Sequence, residues 1–303
     1  MALFKKSSKK NPTKSPKKSL TKGSKKKREP QYYQSAANMS VLNYKVYYLN
    51  KMQQVLLFLS GFVVGAAIGY LFYGGIASDE FGNPTTLTMI LNITICSITG
   101  TITGIAVQPI VVKAIIARRK KTLSAQFRDM LEALSTSLGS GKNVSDSFRA
   151  ILDDMRIQYE EDAFIIAELE AILAGMNINI NIEDLLIDFG ERSGSDDILS
   201  FGNVFKVCYR KGGNINDTVR NTHTILCEKM EIAEDIETTV SANKLEQNIM
   251  VVIPIVLIAL IKMMSPEFAA NFVSVAGIIS STVAIVLFVI AFYVGKQVLD
   301  IKV

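Results

Sequence analysis

The chain has 303 residues, of which 49% are hydrophobic and 20% charged, and its formal net charge is +5. Its three cysteines lack the spacing of metal ligands or redox pairs, and its single histidine, His223, excludes an imidazole pair for a metal. We therefore expect no cofactor, and we interpret Cys96, Cys208 and Cys227 as packing residues in a reducing compartment.

The N-terminal segment differs in composition from the rest of the chain. Residues 1–28 carry twelve Lys or Arg and no acid, whereas the remainder has 21 basic and 28 acidic residues. Such a segment cannot bury apolar surface, so we expect residues 1–40 to form a disordered cytoplasmic tail. Its expected role is to fix the orientation of the protein and to rest on anionic lipid. Nucleic-acid binding is not expected, because almost no aromatic side chains interleave with the basic ones.

Four uncharged apolar stretches follow, near residues 52–73, 87–112, 247–264 and 273–295. A helix needs roughly 20 mostly apolar residues to cross about 30 Å of hydrocarbon. We therefore expect four membrane spans, paired within 41–112 and 247–303, around a polar domain at 113–246. The third stretch is the shortest, so its helix requires Lys262 to snorkel towards the membrane surface.

The basic residues predict the orientation of these spans. The loops at 74–86 and 265–272 contain acids but no Lys or Arg. The opposite ends of the spans are basic, with Lys45, Lys51, Lys113, Arg118, Arg119, Lys120, Lys121, Lys244, Lys296 and Lys302. The positive-inside rule places both termini and the polar domain in the cytoplasm, with Lys262 as the single exception.

The polar domain shows apolar residues at helical spacing rather than strand alternation. Two such stripes are Phe127, Met130, Leu131, Leu134 and Leu138, and Ile198, Phe201, Phe205, Cys208 and Tyr209. Glycines at 139–141, 175, 190–194 and 212–213 predict breaks between helices. The expected fold class is all-α, with four spans and an antiparallel bundle of about six helices.

An internal repeat supports this bundle. Residues 140–148 align with residues 211–219 at an offset of 71, and residues 181–184 form a shorter third copy. Each copy has Asn, a branched apolar residue, any residue and Asp, which is typical of a helix N-cap with an acid at the third helical position. The repeat predicts a tight helix–turn–helix corner, used at least twice.

No motif of an enzyme is found. Gly139-Ser140-Gly141-Lys142 is not a phosphate loop, because the other required positions hold Thr136 and Asn143. A nucleophile elbow, a kinase loop and a zinc-protease helix are also missing from the sequence. We therefore expect no catalytic residues and no metal ligands. Acidic pairs such as Asp196 with Asp197 are expected either at the solvated surface or in contact with a basic partner.

Two of the spans carry small residues at helical spacing, namely Gly61, Gly65, Gly69, Gly100 and Gly104. Such rows let helices approach closely, which predicts packing between the first two spans or across a homodimer. None of the spans has an ionisable group at its centre, which disfavours an ion-coupled transporter but leaves a passive transporter open.

The chain resembles the TadB-type platform proteins of tight-adherence pilus systems, within the wider type II secretion F (GspF/PilC-like) family. The resemblance covers about residues 40–303 and is most specific over 189–254. It is carried by the turn Phe189-Gly190-Glu191-Arg192-Ser193-Gly194-Ser195-Asp196-Asp197, by Lys211-Gly212-Gly213-Asn214-Ile215, and by the run from Ser241 through Leu245 and Gln247 to Pro254.

The resemblance implies a platform protein of the bacterial cytoplasmic membrane that couples a cytoplasmic hexameric secretion ATPase to pilin extraction. Implied partners are this ATPase, a TadC-like paralogue and pilins, in a homo- or hetero-oligomer. The family's glycine turns correspond to Gly139, Gly141, Asn143, Gly212, Gly213 and Asn214, as an ATPase-facing surface or as structural corners. Asp196 and Asp197 are a further candidate contact. The alternatives are a membrane receptor or scaffold with a helical signalling domain, and a passive transporter.

Overall fold

The computed structural model describes residues 29–34, 39–76, 85–265 and 271–299. The basic segment 1–28, most of the two loops expected to face away from the polar domain, and Lys302 lie outside the described residues. About 83% of the structure is helical. The helices are α1 (Lys51–Tyr73), α2 (Thr86–Gly139), α3 (Val144–Gln158), α4 (Phe164–Asn177), α5 (Ile182–Ser193), α6 (Asp196–Lys211), α7 (Ile215–Met264) and α8 (Val275–Leu299).

Four of these helices, α1, α2, α7 and α8, are long and apolar enough to cross a membrane, as the sequence predicts. The 54 residues of α2 and the 50 residues of α7 correspond to roughly 80 Å and 75 Å of helix, far more than the hydrocarbon thickness of about 30 Å. The apolar stretch occupies only one part of each helix, since α2 continues past residue 112 and α7 begins well before residue 247. Both continue into the polar domain, so each joins a span to that domain without an intervening loop.

The polar domain is a helical domain built from α3 to α6 and the adjoining parts of α2 and α7. Its core contains the first predicted apolar stripe and, from the second, Ile198, Phe201 and Phe205, with Phe127 contacting Phe189 and Phe201 at ring-centroid distances of 6.1 and 5.5 Å. The second stripe does not continue into the core as predicted, because Tyr209 is 45% exposed and Cys208 is only partly buried. Six helical segments fall within 113–246, in line with the expected number. One break, between Gln158 and Phe164, contains no glycine and was not predicted.

Two of the glycines predicted to break helices lie inside helices instead. Gly175 is in α4 and Gly190 is in α5. A Cβ on Gly175 would lie 2.6 Å from a methyl group of Leu185, and a Cβ on Gly190 would lie 2.6 Å from the Cα of Leu199. These two glycines are therefore required for close packing between neighbouring helices. The predicted breaks are nevertheless present nearby, since α4 ends two residues after Gly175 and Gly194, with φ of 63°, ends α5.

The expectation of disorder up to residue 40 is wrong for the described part of that segment. Strand β1 (Tyr32–Gln34) pairs antiparallel with β2 (Ser40–Leu42) in a small sheet, which also departs from the all-α class. Adjacent tyrosines and a β-branched valine favour this extended conformation. The strands lead into residues 43–50, which run along the helical domain to the first residue of α1.

Candidate functional site

The two predicted helix–turn–helix corners have the expected N-caps. Asn143 Oδ1 accepts a hydrogen bond from the Asp146 backbone N–H at 2.8 Å, and Asn214 Oδ1 accepts one from the Asp217 N–H at 3.3 Å. The third copy differs, because the side chain of Asn181 makes no cap hydrogen bond. The repeat therefore predicts the caps of α3 and α7 correctly but not that of α5.

These two corners lie side by side. Ser135 Oγ, in the last turns of α2, donates to Asn216 Oδ1 at 3.4 Å, and a Cβ on Gly139 would lie 3.6 Å from Asn216 Nδ2. The end of α2 is thus beside the start of α7. We call the combined area, residues 139–143 and 212–214, the corner surface.

Gly141 and Gly212 of the corner surface are needed for the backbone conformation and not for close packing. Gly141 has φ of 85° and Gly212 has φ of 72°, in the left-handed region that side chains disfavour. A Cβ at either position would meet nothing within 4 Å, so both turns open to solvent. Lys142 and Lys211 are exposed at this surface, and among the described residues neither forms an ion pair. The corner surface therefore presents two free ammonium groups.

The acidic turn formed by Asp196 and Asp197 lies away from the corner surface. Asp196 and Asp197 start α6, whereas Gly212 follows its end, so the 16 residues of this helix place them roughly 24 Å apart. Both carboxylate oxygens of Asp197 accept hydrogen bonds from Lys229 Nζ on α7 at 2.9 Å, while Asp196 is exposed. The candidate partner-binding residues thus divide between the corner surface and this separate turn.

A buried charged network lies at the end of the helical domain nearer the spans. Arg192 Nη1 and Nη2 donate to the two carboxylate oxygens of Glu168 at 2.8 and 2.7 Å, and Tyr44 Oη donates to the same carboxylate at 3.0 Å. The three residues are 6, 2 and 1% exposed. Burial raises the pKa of Tyr44, and the charge and hydrogen bond of Glu168 raise it further. Burial alone would lower the pKa of Arg192, but the paired carboxylate Glu168 raises it overall.

This network fixes residues 39–50, which we call the strap, against the helical domain. The backbone N–H of Tyr44 donates to Arg192 O at 3.1 Å, and Arg192 Nη1 also donates to Leu42 O at 3.2 Å. The ring of Tyr44 contacts that of Phe164 edge-on at 5.5 Å. Because the strap leads directly to Lys51, α1 is tied to the domain just before its first turn.

A second tyrosine–aspartate contact joins α3 to α2. Tyr159 Oη, at the C-terminal end of α3, donates a short hydrogen bond to Asp129, and Arg128 also bonds to that carboxylate. Partial burial, followed by the hydrogen bond to Asp129, raises the pKa of Tyr159 to about 12. The contact holds α3 where the chain turns without a glycine.

The structure places the membrane glycines between α1 and α2. A Cβ on Gly61 would lie 3.0 Å from the Cα of Gly104, and one on Gly65 would lie 2.5 Å from Thr103 Oγ1. Gly69 faces Thr99, and Gly100 faces the ring of Phe62. Of the two arrangements that the sequence left open, the one within a single chain is present.

Lys262, which the sequence predicts to snorkel, contacts the end of another span. Its ammonium donates to Leu71 O in the last turn of α1 at 2.6 Å and lies 5.1 Å from the ring centroid of Phe272. A cation at this position satisfies a carbonyl that has no helical partner and favours the negative end of the helix dipole. Lys262, the single exception to the positive-inside pattern, thus caps the C-terminal end of α1 and joins α7 to it.

The second pair of spans is more open than the first. A cavity of about 310 Å³ separates α1, α7 and α8, and its lining is apolar, with Ile68, Phe72, Val251, Pro254, Ile255, Ile258, Ala284, Ile285, Phe288, Val289 and Phe292. Such a lining offers no hydrogen-bonding groups to a polar solute. In the part of the chain that the structure describes, no three His, Cys, Asp or Glu side chains are grouped to hold a metal ion.

Comparisons of the chain with protein-family models, with curated proteins and with solved structures find no match. The geometry of the corner surface, the strap and the spans is therefore the basis for a functional interpretation.

Proposed function

We propose that the protein is an assembly platform of the bacterial cytoplasmic membrane, which couples a cytoplasmic hexameric secretion ATPase to the extraction and assembly of pilins. The observation that carries this proposal is the continuity of α2 and α7 from the helical domain into the apolar spans. A load applied to the helical domain would reach the spans through two uninterrupted helices. The resemblance of residues 189–197 and 211–215 to turns of the type II secretion F family favours the same interpretation.

The proposed orientation has the helical domain and both termini in the cytoplasm. Lys51, Lys113 and Lys244 stand at the ends of apolar stretches nearest that domain, which is the side that the positive-inside rule assigns to the cytoplasm. The only basic residue at the opposite end of the described spans, Lys262, is engaged by the α1 carbonyl. It therefore counts little against this orientation.

The corner surface is the proposed ATPase contact. Residues 113–139 of α2 correspond to about 40 Å of helix, which carries this surface well away from the membrane. Its open turns and the free ammonium groups of Lys142 and Lys211 suit an acidic surface on the partner. Pilins and a TadC-like paralogue would instead meet the spans, where α7 and α8 have little buried surface.

Co-purification tests this proposal directly. The full chain is tagged in its own cells, extracted in a mild detergent, and the co-purifying proteins are identified by mass spectrometry. Recovery of a secretion ATPase with prepilins or a second platform protein is the expected result. Recovery of the intact protein without an ATPase, after chemical cross-linking in cells, would contradict the proposal.

Charge reversals locate the contact. Lys142→Glu with Lys211→Glu should remove most of the ATPase, whereas Asp196→Lys, at the exposed end of α6, should leave its recovery unchanged. All three residues are exposed and form no ion pair among the described residues, so folding should be maintained. If only Asp196→Lys removes the ATPase, the acidic turn is the contact and the corner surface is structural.

A further inference from the structure

Basic side chains from different spans lie at the same depth. Gly61 of α1 faces Gly104 of α2, and the two helices are antiparallel neighbours. Lys51 precedes Gly61 by about as many residues as Lys113 follows Gly104. These two lysines therefore lie at one level, where both apolar stretches end on the side of the helical domain.

The third span adds a lysine at this level. Helix α7 packs against α2, and Lys121 of α2 pairs with Glu237 of α7 at 2.6 Å. The two helices run in opposite directions, and Lys244 follows Glu237 by about as many residues as Lys113 precedes Lys121, so Lys244 lies near the level of Lys113. Three separate spans thus bring an ammonium group to one depth.

The basic run of α2 continues from this level. Arg118, Arg119 and Lys120 follow Lys113 on the same helix. We call Lys51, Lys113, Arg118, Arg119, Lys120 and Lys244 the basic belt. Within the described chain, none of the six forms an ion pair with a carboxylate. The acids closest to it along α7 are Glu237, which pairs with Lys121, and Glu246, so the belt keeps a net positive charge.

Arg119 and Lys120 of the belt are held in place by neighbouring groups, and one N–H donor of Arg119 has no hydrogen-bond acceptor among the described residues. The guanidinium carbon of Arg119 lies 4.4 Å from the ring centroid of Tyr47 in the strap, and Lys120 Nζ donates to Gly194 O at 2.9 Å. Arg119 Nη1 is buried, and no described group accepts a hydrogen bond from it.

We propose that the basic belt binds the headgroup of an anionic phospholipid in the leaflet that faces the helical domain. The depth of the belt matches the phosphate level of a bilayer whose hydrocarbon covers the apolar stretches, and its charge matches an anionic headgroup. Lys113 and Arg118 are exposed to receive it. The site lies on the folded spans and is separate from the lipid contact expected of residues 1–28. It is also independent of the proposed ATPase contact at the corner surface.

The test uses the full chain in a mild non-ionic detergent, with thermal unfolding followed during titration with phosphatidylglycerol, phosphatidylcholine or inorganic phosphate. Phosphatidylglycerol should raise the melting temperature, and the two controls should not. Lys113→Gln with Arg118→Gln should weaken the apparent affinity for phosphatidylglycerol about five-fold for each charge removed. The matched control, Lys142→Gln with Lys211→Gln, removes the same charge from the corner surface and should leave the affinity unchanged.

Mass spectrometry of the purified protein gives a second readout, since the control pair should retain phosphatidylglycerol and the belt pair should lose it. The proposal is overturned if both pairs respond alike, because the lipid then binds through residues 1–28 or through general charge. It is also overturned if inorganic phosphate stabilises the protein as well as the lipid does, because the ligand is then a free anion. Neither result depends on recovery of an ATPase.

Discussion

Glu168→Gln should strongly destabilise the helical domain. The change removes the carboxylate that pairs with Arg192 at 2.7 Å and accepts from Tyr44, in a site where all three residues are buried. Breaking one half of a buried ion pair costs about 3–5 kcal/mol, because the other charge remains without compensation. Asp188, 2.8 Å from Arg192 Nε and 40% exposed, compensates in part, so we expect the lower limit of about 3 kcal/mol. At about 2–4 °C per kcal/mol, the melting temperature should fall by roughly 6–12 °C.

The same helix contains a matched control. Glu170 pairs with Arg156 at 2.7 Å, but both side chains are close to half exposed, so Glu170→Gln should cost about 0–1 kcal/mol. Thermal unfolding of the full chain in detergent measures both variants. Brief trypsin digestion adds a local readout, since release of the strap should speed cleavage after Lys45. Equal melting temperatures for the two variants, with equal cleavage after Lys45, would refute the conclusion that the buried network holds the strap against the helical domain.

Three further predictions concern the membrane interface, the caps and a titrating group. Gly65→Leu should separate α1 from α2 and cost about 1–3 kcal/mol, whereas Ala67→Leu, on the exposed face, should change the melting temperature little. Asn143→Ala should cost about 1 kcal/mol in thermal unfolding through loss of its cap, and Asn181→Ala, which loses none, clearly less. Tyr159 should ionise near pH 12 in a difference absorbance titration against Tyr159→Phe. Because its pKa is raised on folding, its contribution to the free energy of unfolding is complete below about pH 10 and is lost as the pH rises through 12.

Features that depend on near neighbours in the sequence could be predicted. The caps of α3 and α7 join residues three positions apart, so the pattern of Asn and Asp contains the whole interaction. The spans follow from composition over some 20 residues in the same way. The glycine rows of α1 and α2 indicated close packing, and only the identity of the facing helix had to come from the structure.

Features that depend on distant partners could not be predicted. Tyr44 and Glu168 are 124 residues apart, and nothing near either residue indicates that the two meet. Arg192 was noted as part of a family-like turn, but its role as the partner of a buried carboxylate required the fold. Gly175 shows the same limit, because a glycine can either end a helix or let a neighbouring helix pack closely. Only the position of Leu185 in the fold shows that Gly175 serves close packing.

The connections between the helical domain and the four spans are unequal. The domain continues into α2 and α7 as helix, and the strap ties it to α1 through the Tyr44 network. At its far end α1 is joined to α7 by Lys262, so three spans are fixed to the domain or to one another.

The fourth span, α8, is attached differently. Its described polar contacts with other spans are the bond between Tyr73 Oη and Thr282 Oγ1 at 3.0 Å and the donation from Gln247 Nε2 to Phe292 O at 3.3 Å. The apolar cavity lies along the same face. Unlike α2 and α7, α8 does not continue as helix into the helical domain, so under the proposed function a load on the corner surface would reach it only through its contacts with other spans. The crevice beside α8, rather than the glycine interface between α1 and α2, is then the place where the spans change their separation.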